Sequence, residues 1–227
     1  MFLKICSIAL CFALGMTLSA AGNITCTHNR ITFPAKSILL QKQGNVILMG
    51  KDLYMNTSLN VGTRSGYNVF GSKAVNGIFS NPAKGIWEYK GNFPENTDGR
   101  KMEVSQSVEV TPMGTVELTF SWKPSDVKNV KDLFFLASFP IRHFTGRSIT
   151  VNQQQVPVAD ITKYGFYNGK KQKNNTVLLY DWDNKRSYSI QSEGSVRVLL
   201  QSIKGKNVMI RFYPEVSEGE MKLIFKL

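Results

Sequence analysis

Residues 163–175, KYGFYNGKKQKNN, bring Tyr164, Phe166 and Tyr167 together with Lys163, Lys170, Lys171 and Lys173, without one acidic residue among them. Aromatic faces stack on the flat apolar faces of a sugar ring, while amides and ammonium groups fix its hydroxyls, so the combination is that of a carbohydrate platform. Strand alternation would send Tyr164 and Phe166 to one side and Tyr167 to the other, so at least one of the three is expected to join a core. A second aromatic pair, Trp87 and Tyr89 in GIWEYKGNF, shares one strand face. The expected ligand-binding set is therefore Trp87, Tyr89, Tyr164, Phe166, Tyr167, Lys170 and Lys171.

Other groups that could do chemistry are fewer. Asp181 and Asp183 in YDWDNKR lie two apart on an expected strand, which places both carboxylates on one face with roughly 7 Å between their backbone positions. That is a spacing glycoside hydrolysis uses, but Lys185 and Arg186 beside them fit a solvated, charged hairpin end. The chain has 2 histidines, His28 and His143, far apart in sequence. With so few imidazoles and thiols no structural zinc site can be assembled, and no G-x-S-x-G turn or α/β alternation is present to hold a nucleophile. The expectation is a site with no catalytic residue, no metal and no cofactor.

The elements that must position these residues are strands. In TVELTFSWKP, Val116, Leu118, Phe120 and Trp122 fall on one face and Thr115, Glu117, Thr119 and Ser121 on the other, the pattern of a strand with one wet side. Val104, Val108 and Val110 precede it, and Pro112-Met113-Gly114 between the runs is turn chemistry, so the pair reads as a hairpin. Further short runs include NTVLLYDWD, SVRVLLQSI, KNVMIRFYP and GEMKLIFKL. Helix signals are nearly absent; Ser125 could cap a turn or two beginning at Asp126. Residues 56–100 read as loop-rich, with Gly62, Gly66, Gly71, Gly77, Gly85, Gly91 and Gly99. The fold class is all-β: an antiparallel β-sandwich, jelly-roll-like, in one domain spanning 22–227.

The opening MFLKICSIALCFALGMTLSAAGN has one lysine, an apolar run and small residues, the layout of a secretory signal peptide over 1–21. The run is too short and too interrupted to span a bilayer, so the mature chain is expected to carry no transmembrane segment and to be secreted or periplasmic. Removal of 1–21 leaves Cys26 as a lone thiol, so the fold must stand without an internal disulfide. Lys and Arg number 28 against 16 Asp and Glu, a formal charge of +12. Basic charge on an exported protein suits polysaccharide, including anionic polysaccharide, and no nucleic-acid-binding signature accompanies it.

The succession TVELTFSWKP, LFFLASFPIRHFTGRSITVNQQQVPV, KNVMIRFYP and GEMKLIFKL, over residues 102–227, resembles the accessory β-sandwich domains of bacterial glycan-degrading proteins. The resemblance implies a non-catalytic sandwich associated with polysaccharide and transfers no individual residue's role. The expected function is thus a secreted, non-catalytic carbohydrate-binding or accessory module. Two alternatives stand beside it. One is a lyase or hydrolase of acidic glycans using His143, Arg142, Arg147 or Tyr167; the other is a structural or assembly protein of the cell envelope.

Overall fold

The computed structural model describes residues 25–27, 30–33, 36–41, 44–50, 53–63, 66–69, 76–83, 86–94, 101–111, 114–124, 128, 130–143, 148–163, 167–181, 186–203 and 206–226. The expected leader 1–21 lies outside them, as do His28, Arg147, Tyr164, Phe166, Trp182 and Asp183. Among the described residues no helix is long and apolar enough to cross a membrane.

The first part of the chain forms β1 (Thr25–Thr27), β2 (Arg30–Phe33), β3 (Lys36–Leu40), β4 (Val46–Gly50), β5 (Tyr54–Thr63) and β6 (Gly66–Val69). Next come β7 (Asn76–Ala83), β8 (Ile86–Pro94), β9 (Lys101–Val110), β10 (Thr115–Pro124), β11 (Val130–Pro140), β12 (Ser148–Val151) and β13 (Gln154–Pro157). A short helix, α1 (Val158–Lys163), precedes β14 (Tyr167–Asn168), β15 (Gln172–Lys173), β16 (Thr176–Asp181), β17 (Arg186–Glu193), β18 (Ser195–Ile203), β19 (Asn207–Tyr213) and β20 (Gly219–Lys226).

All pairings are antiparallel, and they build two sheets. The first runs β1-β2-β3-β4-β5-β11-β19-β18-β14, with β6 on β5 and β15 on β18; the second runs β13-β12-β16-β17-β20-β10-β9-β8-β7. The fold is therefore the all-β sandwich the alternation predicts. Val116, Leu118, Phe120 and Trp122 are buried, at 0%, 0%, 0% and 3% exposure, while Thr115, Glu117, Thr119 and Ser121 are only half-buried. Across the gap Phe120 of the second sheet meets Phe135 of the first at 4.7 Å, and Phe135 also meets Phe212 and Phe225 at 6.3 Å each. These contacts join the two inner faces in one core.

The β9–β10 connection is the expected hairpin. Gly114 adopts φ 76°, a conformation that costs a side-chain-bearing residue and not glycine, and its N–H donates to the Thr111 carbonyl at 2.8 Å. One expectation fails here. Residues 56–100 are not mainly loop: β5, β6, β7 and β8 fall in that range, with Gly62, Gly66, Gly77 and Gly91 inside strands. Glycine weakens a strand without preventing it when both neighbours in the sheet satisfy its backbone. The turn of helix expected from Ser125 and Asp126 falls outside the described residues, and the short helix Val158–Lys163 is one the sequence did not signal.

Candidate functional site

The second sheet presents its outer face to solvent, and one end of that face is concave. Strand register sets the floor. Ser105 of β9 lies opposite Ser121 of β10, and their hydroxyls share a hydrogen bond of 2.6 Å. On either side of this pair stand Lys90 of β8 and Glu220 of β20, each directly opposite in its own ladder. One step along, Asn92, Glu103 and Lys123 line up across β8, β9 and β10, and Glu218 approaches Lys123 at 3.9 Å. Together they bound a groove of about 730 Å³. The size is that of a small-molecule or oligomer site.

The end of the groove is shaped by an indole. Trp122 is buried, and its Nε1 donates to the Ser217 carbonyl at 2.5 Å. A Cβ on Gly219 would sit 3.0 Å from Trp122 Cζ2, so glycine at this point is what lets the ring lie across β20. The carboxylates Glu103, Glu218 and Glu220 are exposed.

Further along the same end of the sheet the lining changes from charges to amides. Thr150, Asn152, Gln153, Gln172, Asn174 and Thr176 border a cleft of about 520 Å³ whose apolar contribution is the exposed Leu178. Asn174 and Thr176 also border an adjoining cleft of about 400 Å³ with Gln191, Ser192 and Glu193. Asn175 holds this region together from within, at 1% exposure. Its Nδ2 donates to the carbonyls of Gln172 and Val196 at 3.1 Å each and reaches Ser192 Oγ at 3.3 Å. Its Oδ1 accepts from Asn152 Nδ2 at 2.8 Å, while Asn152 Oδ1 accepts from the Thr176 N–H at 2.8 Å.

The sequence-predicted residues are dispersed. Trp87 and Tyr89 do share a strand face, but it is the inner one: at 3% and 0% exposure they are core, and the expectation that they offer ring faces to a ligand is corrected. Burial also raises the Tyr89 pKa above its ordinary 10.0, because the phenolate would be poorly solvated there. The backbone of Tyr167 pairs with Leu200 at the edge of the first sheet, away from the groove. Lys170 and Lys171 are exposed, and Lys171 forms an ion pair with Glu215. Tyr164 and Phe166 lie outside the described residues. Asp181 ends β16 opposite Arg186, so the paired-carboxylate expectation reduces to one described strand-end aspartate. Arg142 stands exposed in the 3-10 turn after β11, on the first sheet, and is not among the residues lining the groove.

Part of the basic charge is engaged in packing. On the outer face of the first sheet Arg197 lies over the Tyr213 ring at 4.6 Å and Arg211 over Phe134 at 4.8 Å, with Phe134 and Tyr213 5.1 Å apart. Arg211 Nη1 also donates to the Tyr213 hydroxyl at 3.3 Å. These guanidiniums cap aromatic faces, the stacking geometry for which arginine is suited.

The groove residues escaped the sequence reading because Glu103, Ser121 and Glu220 belong to three separate strands and meet only through pairing. The amide end left a trace: Gln172 and Asn174 close the very stretch KYGFYNGKKQKNN that drew attention for its aromatics. No protein-family model matches the chain, and no curated protein matches it either.

Proposed function

We propose that this chain is a non-catalytic β-sandwich module that binds carbohydrate, working outside the cytoplasm as a secreted or periplasmic protein once residues 1–21 are removed. The observation that carries the reading is the groove of about 730 Å³ laid across β8, β9, β10 and β20, walled by carboxylates, ammoniums, an amide and hydroxyls. A sugar presents many hydroxyls, each donor and acceptor at once. Glu103 and Glu220 would accept from adjacent hydroxyls, Lys90 and Lys123 would donate, and the Ser105–Ser121 pair can turn either way. Exposed carboxylates of this kind orient hydroxyls; acid catalysis of glycoside cleavage draws on a carboxyl enclosed by apolar groups. The resemblance of residues 102–227 to accessory sandwiches of glycan-degrading proteins points the same way.

Glycan-array binding by the purified chain tests the proposal, with the double variant Glu103→Ala/Glu220→Ala read beside it. Each hydrogen bond to a charged group contributes about 1.5–3 kcal/mol, so the double variant is expected to lose at least tenfold in affinity. Loss of binding in Tyr167→Ala, with Glu103→Ala/Glu220→Ala unchanged, would move the site to the edge of the first sheet and refute the groove.

A further inference from the structure

Resting on that reading, we infer that the groove and the two amide-lined clefts are one continuous track for an extended, uncharged, hydroxyl-rich polymer, and that a polyanion is not its ligand.

Sheet order supports the continuity. Strands β8, β9, β10, β20, β17, β16 and β12 are consecutive neighbours in the second sheet. Antiparallel pairing puts one common end of all of them together: Asn92 lies near the end of β8 opposite Glu103, Lys123 and Glu220 lie where β10 ends and β20 begins, and Thr176 begins β16 opposite Gln191. The charged groove ends at Glu220 and the smaller cleft begins at Glu193. Between them stands Lys222, opposite Glu193 in the ladder and tied to Glu117 in an ion pair. Glu193 and Glu220 are thus diagonal neighbours, about 7–8 Å apart at the backbone, a gap one sugar residue would bridge. Six steps between strands give a track of roughly 29 Å. That length suits several sugar residues in succession.

Charge along the track decides the class of polymer. The whole chain carries 28 Lys and Arg against 16 Asp and Glu. The residues lining the three concavities reverse that balance, with Glu103, Glu193, Glu218 and Glu220 against Lys90 and Lys123. A uronate or sulfate chain laid here would meet carboxylates at several points. Beyond Glu193 the lining is neutral: amides, hydroxyls and Leu178. Amides pair with vicinal hydroxyls by offering one donor and one acceptor side by side.

Backbone strain at the amide end adds a second observation. Asn152, Gln153 and Asn174 adopt φ of 50°, 71° and 54°, and Gln153 is a residue type that seldom does so. All three line the amide clefts. The two-residue β12–β13 loop itself requires positive φ at Asn152 and Gln153, and asparagine tolerates it; glutamine kept at 153, where glycine would be relaxed, is the position that points to a role for its side chain.

The test is native affinity electrophoresis of the full chain in gels containing laminarin, galactomannan, xylan, alginate or polygalacturonate, followed by competition with disaccharides and hexasaccharides of whichever neutral polymer retards it. The expected result is retardation by a neutral polymer, at least tenfold stronger competition by the hexasaccharide than by the disaccharide, and weaker retardation for both Glu220→Ala and Gln172→Ala. Both substitutions fall at exposed positions, and circular dichroism checks the fold of each. Equal competition by both oligosaccharides, or sensitivity to only one of the two variants, overturns the continuous track and leaves carbohydrate binding standing. Retardation by the polyanions alone overturns the uncharged class. Retardation by none of the five polymers removes the carbohydrate reading itself and this inference with it.

Discussion

Replacing Gln153 by glycine should make the protein more stable and a poorer binder. Asn152 and Gln153 form the two-residue loop between β12 and β13, flanked by the Val151–Gln154 pair, and both have positive φ, at 50° and 71°. That is a turn whose second position favours glycine. A left-handed conformation costs a side-chain-bearing residue roughly 1–2 kcal/mol, and glycine gives back about 0.5–1 kcal/mol through the greater freedom of its unfolded chain. The net gain is about 0.5–1 kcal/mol. For a chain of this size that raises Tm by about 1–4 °C. Loss of the Gln153 amide from the cleft removes a hydrogen bond contributing about 0.5–1.5 kcal/mol, so affinity for the retarding polymer should fall about threefold to tenfold. Differential scanning calorimetry and affinity electrophoresis on the same preparation read both effects. Asn152→Gly is the matched control: it has the same φ class, but its side chain holds the Thr176 N–H and Asn175 Oδ1, so glycine there should lower Tm. A Gln153→Gly variant with unchanged or lower Tm would refute the strain argument, and one with raised Tm and full affinity would remove Gln153 from the binding surface.

Asn175→Ala strips partners from the Gln172 and Val196 carbonyls and from Ser192, and at about 1–3 kcal/mol for a buried group left unsatisfied should cost about 3 kcal/mol in urea unfolding. Gly219→Ala places a methyl 3.0 Å from an indole pinned by its own hydrogen bond, and overpacking of this kind should destabilise by about 1–3 kcal/mol, with a shift in Trp fluorescence reporting the displaced ring. At high pH the native chain holds the Tyr89 proton after the unfolded chain has lost it near the ordinary value of 10.0, so stability must fall as pH rises past that point. Lys222, whose pKa the hydrogen bond to Glu117 raises above 10.5, acts in the same direction. Tyr89→Phe should therefore show a smaller loss of urea midpoint between about pH 9 and about pH 11 than the parent, and an equal loss would contradict the burial argument.

What the sequence made legible, and what it did not, follows from how local each signal is. The alternation from Val116 to Trp122 predicts both a strand and its inner face because polarity changes at every step. Gly114 predicts the hairpin because its turn needs a left-handed residue. Trp87 and Tyr89 show the limit: a period of two places them on one face, yet with Glu88 and Lys90 as the alternates the sequence already favours burying the aromatics over displaying them. Reading them as a platform gave ligand chemistry precedence over that pattern. The groove lay beyond reach for another reason. Glu103 and Glu220 are separated by more than half the chain, and only the insertion of β20 beside β10 brings their strands near each other.

That insertion has a consequence for how the molecule is made. β19 and β20, among the latest strands synthesised, occupy the middle of the two sheets, β19 between β11 and β18 and β20 between β10 and β17. During translation β10 and β11 must wait, each with one ladder of N–H and C=O groups unmatched, while nearly a hundred further residues emerge in the first case and nearly seventy in the second. Such bare edges invite pairing with a neighbouring chain. Assembly of this sandwich is consequently a late event, slow for its size, because its central strands pair across long stretches of chain.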